Sequence, residues 1–442
     1  MKTIKRNQEK RRNNERLFEM IKKQAKGITL IALVVTIIVL LILAGVAINL
    51  TVGDNGLFKR AQNAADTYAE KSEEELRHLT VLEASAYLED HEYIDNSTGE
   101  EKTIIIPAQC AVSQVEGENT LKDGLVIIDV NGNEWVWVEV PQDIYDNINY
   151  NNNGNNKPIN SEDYENIEYV MQQYVLTYRD SENKGQTAGT DEWHEGCGLE
   201  NSQYTQLKQK MLKSVYENHG FYVGRYEVGI AEDNKIRNFE TDYTTLHPIN
   251  ETPLIQKNKI IYNWVRLSQA QQLSEKLAVG KKISSLMFGI QWDLIMKYIE
   301  NNGNFNNNGA NKLINQQLIK MDSTKWGNYG DSTFYITNTK ARYSENSGAT
   351  YTQVQSKGYN KTSSNILFTT GATERNRVLN IYDLAGNVYE WTLEKTNDVE
   401  ISCSLRGGSY RTGGMDNPCS CRYYNRAISS NEYAGFRSTL YI

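Results

Sequence analysis

The longest hydrophobic stretch of the chain lies near its beginning, where residues 28–50 (ITLIALVVTIIVLLILAGVAINL) contain no charged side chain. As an α-helix this stretch would be about 35 Å long, which is enough to cross the hydrocarbon core of a membrane. Its apolar residues cover every face of such a helix, whereas a helix of a soluble protein usually keeps one polar face. The pattern therefore predicts a transmembrane helix over 28–50, preceded by a polar leader over 1–27.

A helical pattern of a different kind follows this stretch. Between residues 51 and 90, Leu and Ala recur at intervals of three or four among Glu, Lys and Arg, which is typical of an amphipathic helix ending near Leu88. We predict an amphipathic stalk helix within 51–90. The pattern leaves open whether the apolar face pairs with another copy of the helix or packs on the chain's own domain.

From about residue 91 the periodicity changes to that of β-strands. Three short runs of apolar or alternating residues follow this pattern: 104–106, 124–129 and 134–140. Asn131-Gly132, between the last two runs, is a strong signal for a hairpin turn. We predict a β linker region over 91–123 and one larger domain over 124–442.

Charge is distributed unevenly along the chain. Residues 1–27 carry ten Lys and Arg against three Glu, a net charge of +7; the whole chain is −8, so the remainder is −15. An acidic body argues against nucleic acid as the partner, because binding to phosphates requires a positive surface. The positive charges before the apolar stretch instead predict a single-pass protein of the cell membrane, with a cytoplasmic N-terminus and an extracellular C-terminal domain.

The junction between the leader and the apolar stretch resembles the N-terminus of type IV prepilins and pseudopilins. A basic leader ends in Lys26-Gly27, and Ile28 opens the apolar helix. In that family a prepilin peptidase cuts after the glycine, so the resemblance implies processing between Gly27 and Ile28. The chain departs from the family at Ala32, where family pilins usually carry a Glu that assists filament assembly. A membrane anchor that does not enter a filament is the alternative.

Three motifs occur in a fixed order near the C-terminus: LAGNVYEW at 384–391, RGGSY at 406–410 and GFR at 435–437. Their order and spacing resemble the formylglycine-generating enzyme family, also called the sulfatase-modifying-factor family, which has Trp where this chain has Tyr389 and Tyr410. The resemblance implies a C-type-lectin-like fold for residues 124–442. The predicted fold class is therefore α+β, with a long N-terminal transmembrane, pilin-like helix followed by a lectin-like domain with many loops.

The turn at 386–390 offers two oxygen ligands, Asn387 and Glu390, three residues apart. Side-chain oxygens completed by backbone carbonyls suit a hard cation such as Ca²⁺, and calcium at this turn is also what the family resemblance implies. Calcium is therefore the candidate cofactor. A turn held by hydrogen bonds without a metal is the alternative.

The enzymes of this family bind copper with two cysteines. The motif spacing assigns the first position to Thr412 and the second to Asn417 or Pro418, and none of these is a cysteine. Cuprous ion requires thiolate ligands, so copper is not expected. Cys419 and Cys421 are close in sequence, but alternate residues of an extended chain point to opposite faces. We therefore predict that the chain is not an enzyme.

Residues 410–433, between the second and third motifs, form a stretch that we call the recognition segment. It is rich in Tyr, Asn, Ser and Arg, which are typical of adaptable binding surfaces. The candidate ligand-binding residues are Tyr410, Arg411, Thr412, Asp416, Asn417, Tyr423, Tyr424, Asn425, Asn431 and Tyr433. The segment also resembles that of the variable proteins of diversity-generating retroelements, in which directed mutation recodes Asn codons within a constant framework. A fixed surface is the alternative.

Together these observations predict a membrane-anchored, surface-exposed, pilin-like protein whose lectin-like domain binds an extracellular protein or glycan. The other predicted partners are the membrane, through residues 28–50, and the pilins of a pilus or secretion system. Two alternative functions remain open from the sequence: a formylglycine-generating copper oxidase of cysteine, and a minor pseudopilin with a structural role.

Overall fold

The computed structural model describes most of the chain from residue 57 onward and a few residues before it. The described residues are 16, 35–38, 40–41, 57–146, 158, 160–179, 189–233, 235–239, 242–305, 309–397 and 402–442. Almost all of the predicted leader 1–27, the predicted processing residues Gly27 and Ile28, and most of the predicted transmembrane helix 28–50 lie outside them. Among the described residues, no helix has the length and hydropathy that a membrane span requires.

From residue 57 onward, the described part of the chain contains seven α-helices: α1 Leu57–Ala84, α2 Ser161–Tyr174, α3 Leu176–Arg179, α4 Asn201–Asn218, α5 Leu267–Glu275, α6 Gly289–Asn302 and α7 Lys312–Lys320. Two 3₁₀ turns, Gln142–Tyr145 and Glu374–Asn376, accompany them. Helix α1 falls within the predicted stalk 51–90. It ends at Ala84 rather than near Leu88, because the chain turns directly afterwards and enters a strand at His91.

The described strands are mostly short. They are β1 His91–Asp95, β2 Lys102–Ile106, β3 Cys110–Val112, β4 Val126–Asp129, β5 Glu134–Glu139, β6 Gly189–Thr190, β7 Gly220–Gly224, β8 Gly229–Ile230, β9 Pro253–Leu254, β10 Ile283–Leu286, β11 Phe334–Ile336, β12 Arg342–Ser344, β13 Thr352–Gln353, β14 Tyr359–Lys361, β15 Leu367–Phe368, β16 Arg377–Val378, β17 Ile381–Tyr382, β18 Tyr389–Thr396, β19 Cys403–Arg406, β20 Arg422–Asn425, β21 Ala434–Phe436 and β22 Ser438–Tyr441. This mixture of helices and strands agrees with the predicted α+β class.

The larger sheet has the strand order β10-β22-β7-β5-β4-β3, and every neighbouring pair in it is antiparallel. The predicted hairpin joins β4 to β5, with Val126 opposite Val136. Gly132 in its turn has a φ of 76°, a conformation that favours glycine. Strand β7 is buried along its whole length, so the main hydrophobic core lies on both of its faces.

Two compact units divide the chain, Met1–Glu75 and Leu76–Ile442. This division differs from the predicted boundaries, because the predicted linker 91–123 and the predicted domain 124–442 belong to one unit. The physical reason is strand pairing: β3, inside the predicted linker, is the edge strand of the larger sheet and pairs with β4.

A charged cluster attaches the last turns of α1 to the domain. Arg77 donates to Glu118 at 2.5 Å and to Glu134 at 2.8 Å, and Arg225 pairs with the same two carboxylates at 2.8 Å each. Both carboxylates are buried, as are Thr80 and Ala84 of α1. These turns of the predicted stalk therefore pack on the chain's own domain.

A second, five-stranded sheet, which we call the smaller sheet, has the order β20-β19-β18-β21, and β6 pairs with the end of β18. Strands β18 and β21 are parallel, and the other pairs are antiparallel. This sheet carries all three C-terminal motifs and therefore positions the recognition segment.

Candidate functional site

The three C-terminal motifs meet on neighbouring strands of the smaller sheet. Glu390 of β18 lies opposite Arg406 of β19 on one side and opposite Gly435 of β21 on the other. Trp391 and Phe436 extend from these strands into the main core. The recognition segment leaves the sheet after β19 and returns through β20 to β21, so the same sheet holds both of its ends.

Two glycines allow the chain to leave β19 at a sharp angle. Gly407 and Gly408 have φ values of 90° and 77°, in the region that favours glycine. A Cβ atom on Gly407 would lie 2.9 Å from the Leu384 carbonyl oxygen, and one on Gly408 would lie 2.4 Å from that of Asn417. The two glycines therefore permit a close backbone approach that any side chain would block.

A buried group of three arginines and three carboxylates lies beneath the segment, and we call it the arginine–carboxylate cluster. Its members are Arg179, Asp191, Asp293, Glu394, Arg406 and Arg422. Glu394 accepts from Arg406 at 2.9 Å and from Arg422 at 2.7 Å, and Asp293 accepts from the same two arginines at 2.8 Å each. Because positive and negative charges are equal in number, no charge is left uncompensated in the interior.

Glu394 of β18 forms ion pairs with Arg406 of β19 and with Arg422 of β20, so its carboxylate links the three strands. Burial raises its pKa, but the guanidinium groups of Arg422, Arg406 and Arg179 outweigh burial and lower the pKa to about 2. Glu394 is therefore ionised at neutral pH. Its carboxylate also fills space left by Gly189 and Gly289, where an added Cβ atom would come within 2.4 Å of it.

The outward side of the segment presents a row of tyrosine rings, which we call the tyrosine stack: Tyr389, Tyr423 and Tyr424. The ring centroids of Tyr389 and Tyr423 are 5.1 Å apart, and those of Tyr423 and Tyr424 are 5.3 Å apart, with interplanar angles of 24° and 7°. Tyr389 is buried, while Tyr423 and Tyr424 are 39% and 40% exposed. A buried ring thus supports two exposed rings, which can contact an apolar partner while their hydroxyls stay hydrated.

The ten predicted ligand-binding side chains differ in accessibility. Arg411, Asp416, Tyr423 and Tyr424 are exposed, and Thr412, Asn417, Asn425 and Tyr433 are half-buried. Arg411 pairs with Glu432, and its guanidinium lies 5.7 Å from the centre of the Tyr433 ring. The stack and this ion pair therefore form one continuous polar and aromatic surface.

Tyr410 and Asn431, which the sequence also predicts as ligand-binding residues, are buried and do not contribute side chains to this surface. Tyr410 is fully buried in a small apolar cluster with Leu367 and Val388. Asn431 is also buried, and its carbonyl oxygen accepts from the Trp264 amide at 3.0 Å. The packing of Tyr410 and the hydrogen bond of Asn431 hold the segment against the domain.

The two positions assigned to the family's copper-binding cysteines do come together in space. The Tyr389 hydroxyl donates to Asn417 Oδ1 at 2.8 Å and lies near the Thr412 side chain, whose own hydroxyl donates to the Ser409 carbonyl oxygen at 3.0 Å. Of the two assignments for the second position, the structure favours Asn417 over the buried Pro418, because the Asn417 side chain reaches the hydroxyl that Thr412 also approaches.

These residues do not fit a copper site. Thr412 and Asn417 carry no sulfur, and Cys421 Sγ is 3.4 Å from Asn417 Oδ1. Burial raises the pKa of Cys421 to about 12 and also raises that of Cys419. Both thiols therefore stay protonated at neutral pH, whereas copper binding requires thiolates.

The predicted calcium ligands are engaged by donors of the protein itself. Arg437 donates to both oxygens of Glu390, at 2.7 Å and 3.0 Å. Asn387 Oδ1 accepts from the Asn328 side chain at 3.0 Å and from the Phe368 amide at 3.2 Å. In the part of the chain that the structure describes, no group of three His, Cys, Asp or Glu residues could hold a metal. The arrangement fits the hydrogen-bonded turn and does not fit a calcium site built on these two side chains.

Residues outside the segment also contribute to the surface, and no sequence motif indicates them. Ser430 donates to the Tyr243 carbonyl oxygen at 2.7 Å, which brings the 242–246 loop against the segment. Tyr243 and Leu246 of this loop are mostly exposed. They lie far from the segment in sequence and carry no motif.

Comparisons with known proteins agree with the C-terminal motifs. A family model described as the sulfatase-modifying factor enzyme 1-like domain matches residues 201–440, more than half of the chain. No curated protein sequence matches. Among solved structures, Treponema denticola variable protein 1 is similar at 12% identity and a TM-score of 0.22, covering 80% of this chain and 99% of that chain. The chain therefore belongs to the sulfatase-modifying factor family, the formylglycine-generating enzyme family that its motifs predict.

Proposed function

We propose that this chain is a membrane-anchored, surface-displayed, pilin-like protein whose C-terminal domain binds an extracellular protein or glycan through the recognition segment. One observation carries the proposal. Exposed Tyr423 stacks on buried Tyr389, and exposed Tyr424 stacks on Tyr423, on a segment whose ends and underside are held by the Gly407-Gly408 turn and the arginine–carboxylate cluster.

A rigid aromatic face suits binding for an energetic reason. Each tyrosine offers a large contact area but has only two side-chain torsions to restrict, so association costs little conformational entropy. Stacking on Tyr389 restricts the exposed rings before any partner arrives. Arg411, Asp416 and Asn425 around them supply hydrogen-bonding groups for specificity.

The chemistry of the segment supports binding rather than oxidation. Thr412 and Asn417 stand at the positions that the motifs assign to the two catalytic cysteines; Thr412 donates to the Ser409 carbonyl oxygen, and Asn417 accepts from the Tyr389 hydroxyl. Cys419 and Cys421 are buried thiols whose pKa values are raised. A buried, protonated thiol is a poor metal ligand and a poor nucleophile.

The membrane location is proposed from the sequence alone, on the basic leader and the uncharged stretch 28–50. Cleavage after Gly27 is part of the proposal, and N-terminal sequencing of the mature chain tests it directly. A new N-terminus at Ile28 supports the prepilin-type pathway. An N-terminus at Met1 supports an uncleaved anchor.

Diversification of the segment is the second element of the proposal. The exposed residues Arg411, Asp416, Tyr423 and Tyr424 belong to the types that directed recoding of Asn codons yields. Sequencing codons 405–437 in many isolates of the source population tests this element. Substitutions concentrated at exposed positions, with Gly407 and Gly408 constant, support it. A segment as constant as the rest of the gene contradicts it, and a fixed binding face remains.

Binding itself is tested with the full-length chain in fluorescent nanodiscs, incubated with cells and extracellular material from its natural habitat. We expect the double variant Tyr423→Ala/Tyr424→Ala to lose about tenfold or more of the bound fluorescence, since exposed aromatic anchors dominate such surfaces. The control is Tyr335→Ala, at a tyrosine of β11 that is 54% exposed and lies outside the recognition segment. Equal binding by the double variant would refute the assignment of this face. Conversion of a cysteine peptide to formylglycine by the copper-loaded chain would favour the oxidase instead.

A further inference from the structure

Lys361, the last residue of β14, is a fully buried lysine. Its Nζ donates to the Tyr329 carbonyl oxygen at 2.7 Å and to the Ser332 carbonyl oxygen at 2.8 Å. In the part of the chain that the structure describes, all of its hydrogen-bond acceptors belong to uncharged groups. Burying a charge without an opposite charge costs folding free energy. The arrangement therefore indicates a role for this charge other than global stability.

The two carbonyl groups that Lys361 binds belong to the ends of a turn over Tyr329–Ser332, which we call the support turn. Within it, the Ser332 amide donates to the Tyr329 carbonyl oxygen at 3.2 Å, and the Tyr329 amide donates to the Ser332 hydroxyl oxygen at 2.9 Å. An ammonium group has three N–H donors, and its hydrogen bonds are about twice as strong as those of a neutral donor. Lys361 therefore binds both ends of the support turn from inside the domain.

The support turn in turn holds the first part of the recognition segment. The Gly330 amide donates to the Thr412 carbonyl oxygen at 2.9 Å. The Gly414 amide donates to Asp331 Oδ1 at 3.1 Å. Residues 412–414 are thus fixed by two hydrogen bonds to a turn whose own ends are bound by one buried charge.

We propose that Lys361 is a positioning residue of the binding surface: its ammonium ion holds the support turn in place, and loss of that charge at alkaline pH weakens ligand binding. The inference rests on the proposed function of the recognition segment and adds a regulation of the same surface. A neutral amine keeps only two N–H donors and loses the charge that strengthens them. Arg411 and Asp416 flank residues 412–414 and are exposed, so a looser support turn displaces groups that contact the ligand.

The surroundings of Lys361 bring the loss of its proton close to neutral pH. Burial lowers its pKa from 10.5 to about 8, the Arg375 guanidinium also lowers it, and Asp331 acts in the opposite direction. Lys361 and Arg375 lie 5.6 Å and 4.6 Å from the centre of the Phe334 ring.

The lowered pKa separates the effect on binding from the effect on stability. The folded chain releases this proton near pH 8, whereas the unfolded chain keeps it until about pH 10.5. The contribution of Lys361 to the stability of the fold therefore rises with pH between these two values. Ligand binding should fall over the same range. A lysine that only stabilised the fold would change both quantities in the same direction.

The first experiment titrates the full-length chain in fluorescent nanodiscs against the same cells and extracellular material at several pH values between 7 and 9. For the wild type, the nanodisc concentration at half-maximal binding should rise about tenfold, because only about one tenth of the chains keep the proton one pH unit above the pKa. Lys361→Met should bind at pH 7 no better than the wild type binds at pH 9, and equally at all pH values. Lys357→Met removes an exposed lysine just before β14 and should behave as the wild type.

A second variant, Asp331→Asn, identifies the titrating group without altering the buried site. Asp331 is exposed, and asparagine keeps an oxygen acceptor for the Gly414 amide. The substitution removes the carboxylate that raises the pKa of Lys361, so the midpoint of the binding profile should move to lower pH. A wild-type profile that is flat, a profile that Lys361→Met shares, or a midpoint that Asp331→Asn leaves unchanged overturns the proposal.

Hydrogen–deuterium exchange without any ligand separates this proposal from the proposed function. At pH 7 the Gly330 and Gly414 amides should exchange several times faster in Lys361→Met than in the wild type, because both donate hydrogen bonds between the support turn and the segment. The amides of the buried strand β7 should exchange equally in both chains. Equal exchange at Gly330 and Gly414 contradicts the role of Lys361. Faster exchange there, in a chain whose binding does not depend on Tyr423 and Tyr424, contradicts the proposed function instead.

Discussion

Removing the charge of Glu394 should destabilise the frame that holds the recognition segment. Glutamine has nearly the same size and shape as glutamate, so Glu394→Gln fits between Gly189 and Gly289 without a steric conflict. The substitution leaves three arginines and two carboxylates in a buried cluster, hence one uncompensated positive charge. It also replaces one acceptor oxygen with a donor that faces guanidinium groups.

The magnitude follows from the burial of the group. Breaking a buried ion pair by removing one partner costs about 3–5 kcal/mol. The unit Leu76–Ile442 has 367 residues, and unfolding entropy is about 2.1 cal/mol/K per residue, or about 0.8 kcal/mol/K in total. The melting temperature should therefore fall by about 4–6 °C. Differential scanning fluorimetry at pH 7 measures this shift.

Lys395→Gln is the matched control, at the next residue of the same strand. Lys395 is 38% exposed and its nearest acidic partner, Glu192, is 3.8 Å away. An exposed pair of this kind contributes at most about 1 kcal/mol, so the melting temperature should change by about 1 °C or less. A Glu394→Gln shift no larger than that of the control would refute the reasoning that the cluster stabilises the frame.

The other predictions concern different parts of the molecule. Burial raises the pKa of Glu118, but Arg225 and Arg77 outweigh burial and lower the pKa to about 2. Ionised Glu118 therefore stabilises the fold by about 3 kcal/mol above pH 4.5, and this contribution is lost as the pH falls towards 2. Urea unfolding across this pH range should show that Arg77→Met loses less unfolding free energy on acidification than the wild type. The double variant Thr412→Cys/Asn417→Cys should gain tight binding of Cu(I), measured by competition with a chromophoric chelator, while each single variant should not, because linear coordination requires both thiolates. Among natural variants of the segment, Arg422 should stay constant while its exposed neighbours change, which sequencing of the 3′ end of the gene measures; frequent substitution of Arg422 would contradict its role in the cluster.

The local features of the fold could be predicted from the sequence. The hairpin at Gly132 and the turn at Gly407 depend on the conformational freedom of single residues, which a local motif reveals. The family could be predicted because its motifs lie on adjacent strands that share core residues such as Trp391 and Phe436. In each case the motif that allows the prediction spans only a few consecutive residues.

The features that depend on distant contacts could not be predicted. In the arginine–carboxylate cluster, Arg179 and Arg422 both pair with Asp293, and no sequence signal near either arginine indicates this shared partner. The pairing of β3 with β4 crosses the predicted boundary at residue 124, and no local signal near either strand indicates it. Composition likewise does not reveal burial at Tyr410 and Asn431: tyrosine and asparagine are typical of binding surfaces, but here local packing buries them.

Tyr389 connects the two positions that the motifs assign to copper-binding cysteines with the tyrosine stack. Its hydroxyl is buried and needs hydrogen-bonding partners, because an unsatisfied buried polar group costs about 1–3 kcal/mol. Asn417 supplies an acceptor for it at one of the two positions that the motifs assign to copper-binding cysteines, and Thr412 lies close by at the other. With its hydroxyl held there, the ring of Tyr389 lies against Tyr423 and supports the exposed part of the stack. A cysteine in place of Asn417 would be a weak partner for the hydroxyl and would loosen the ring. Asn417 therefore holds the ring on which the exposed part of the tyrosine stack rests.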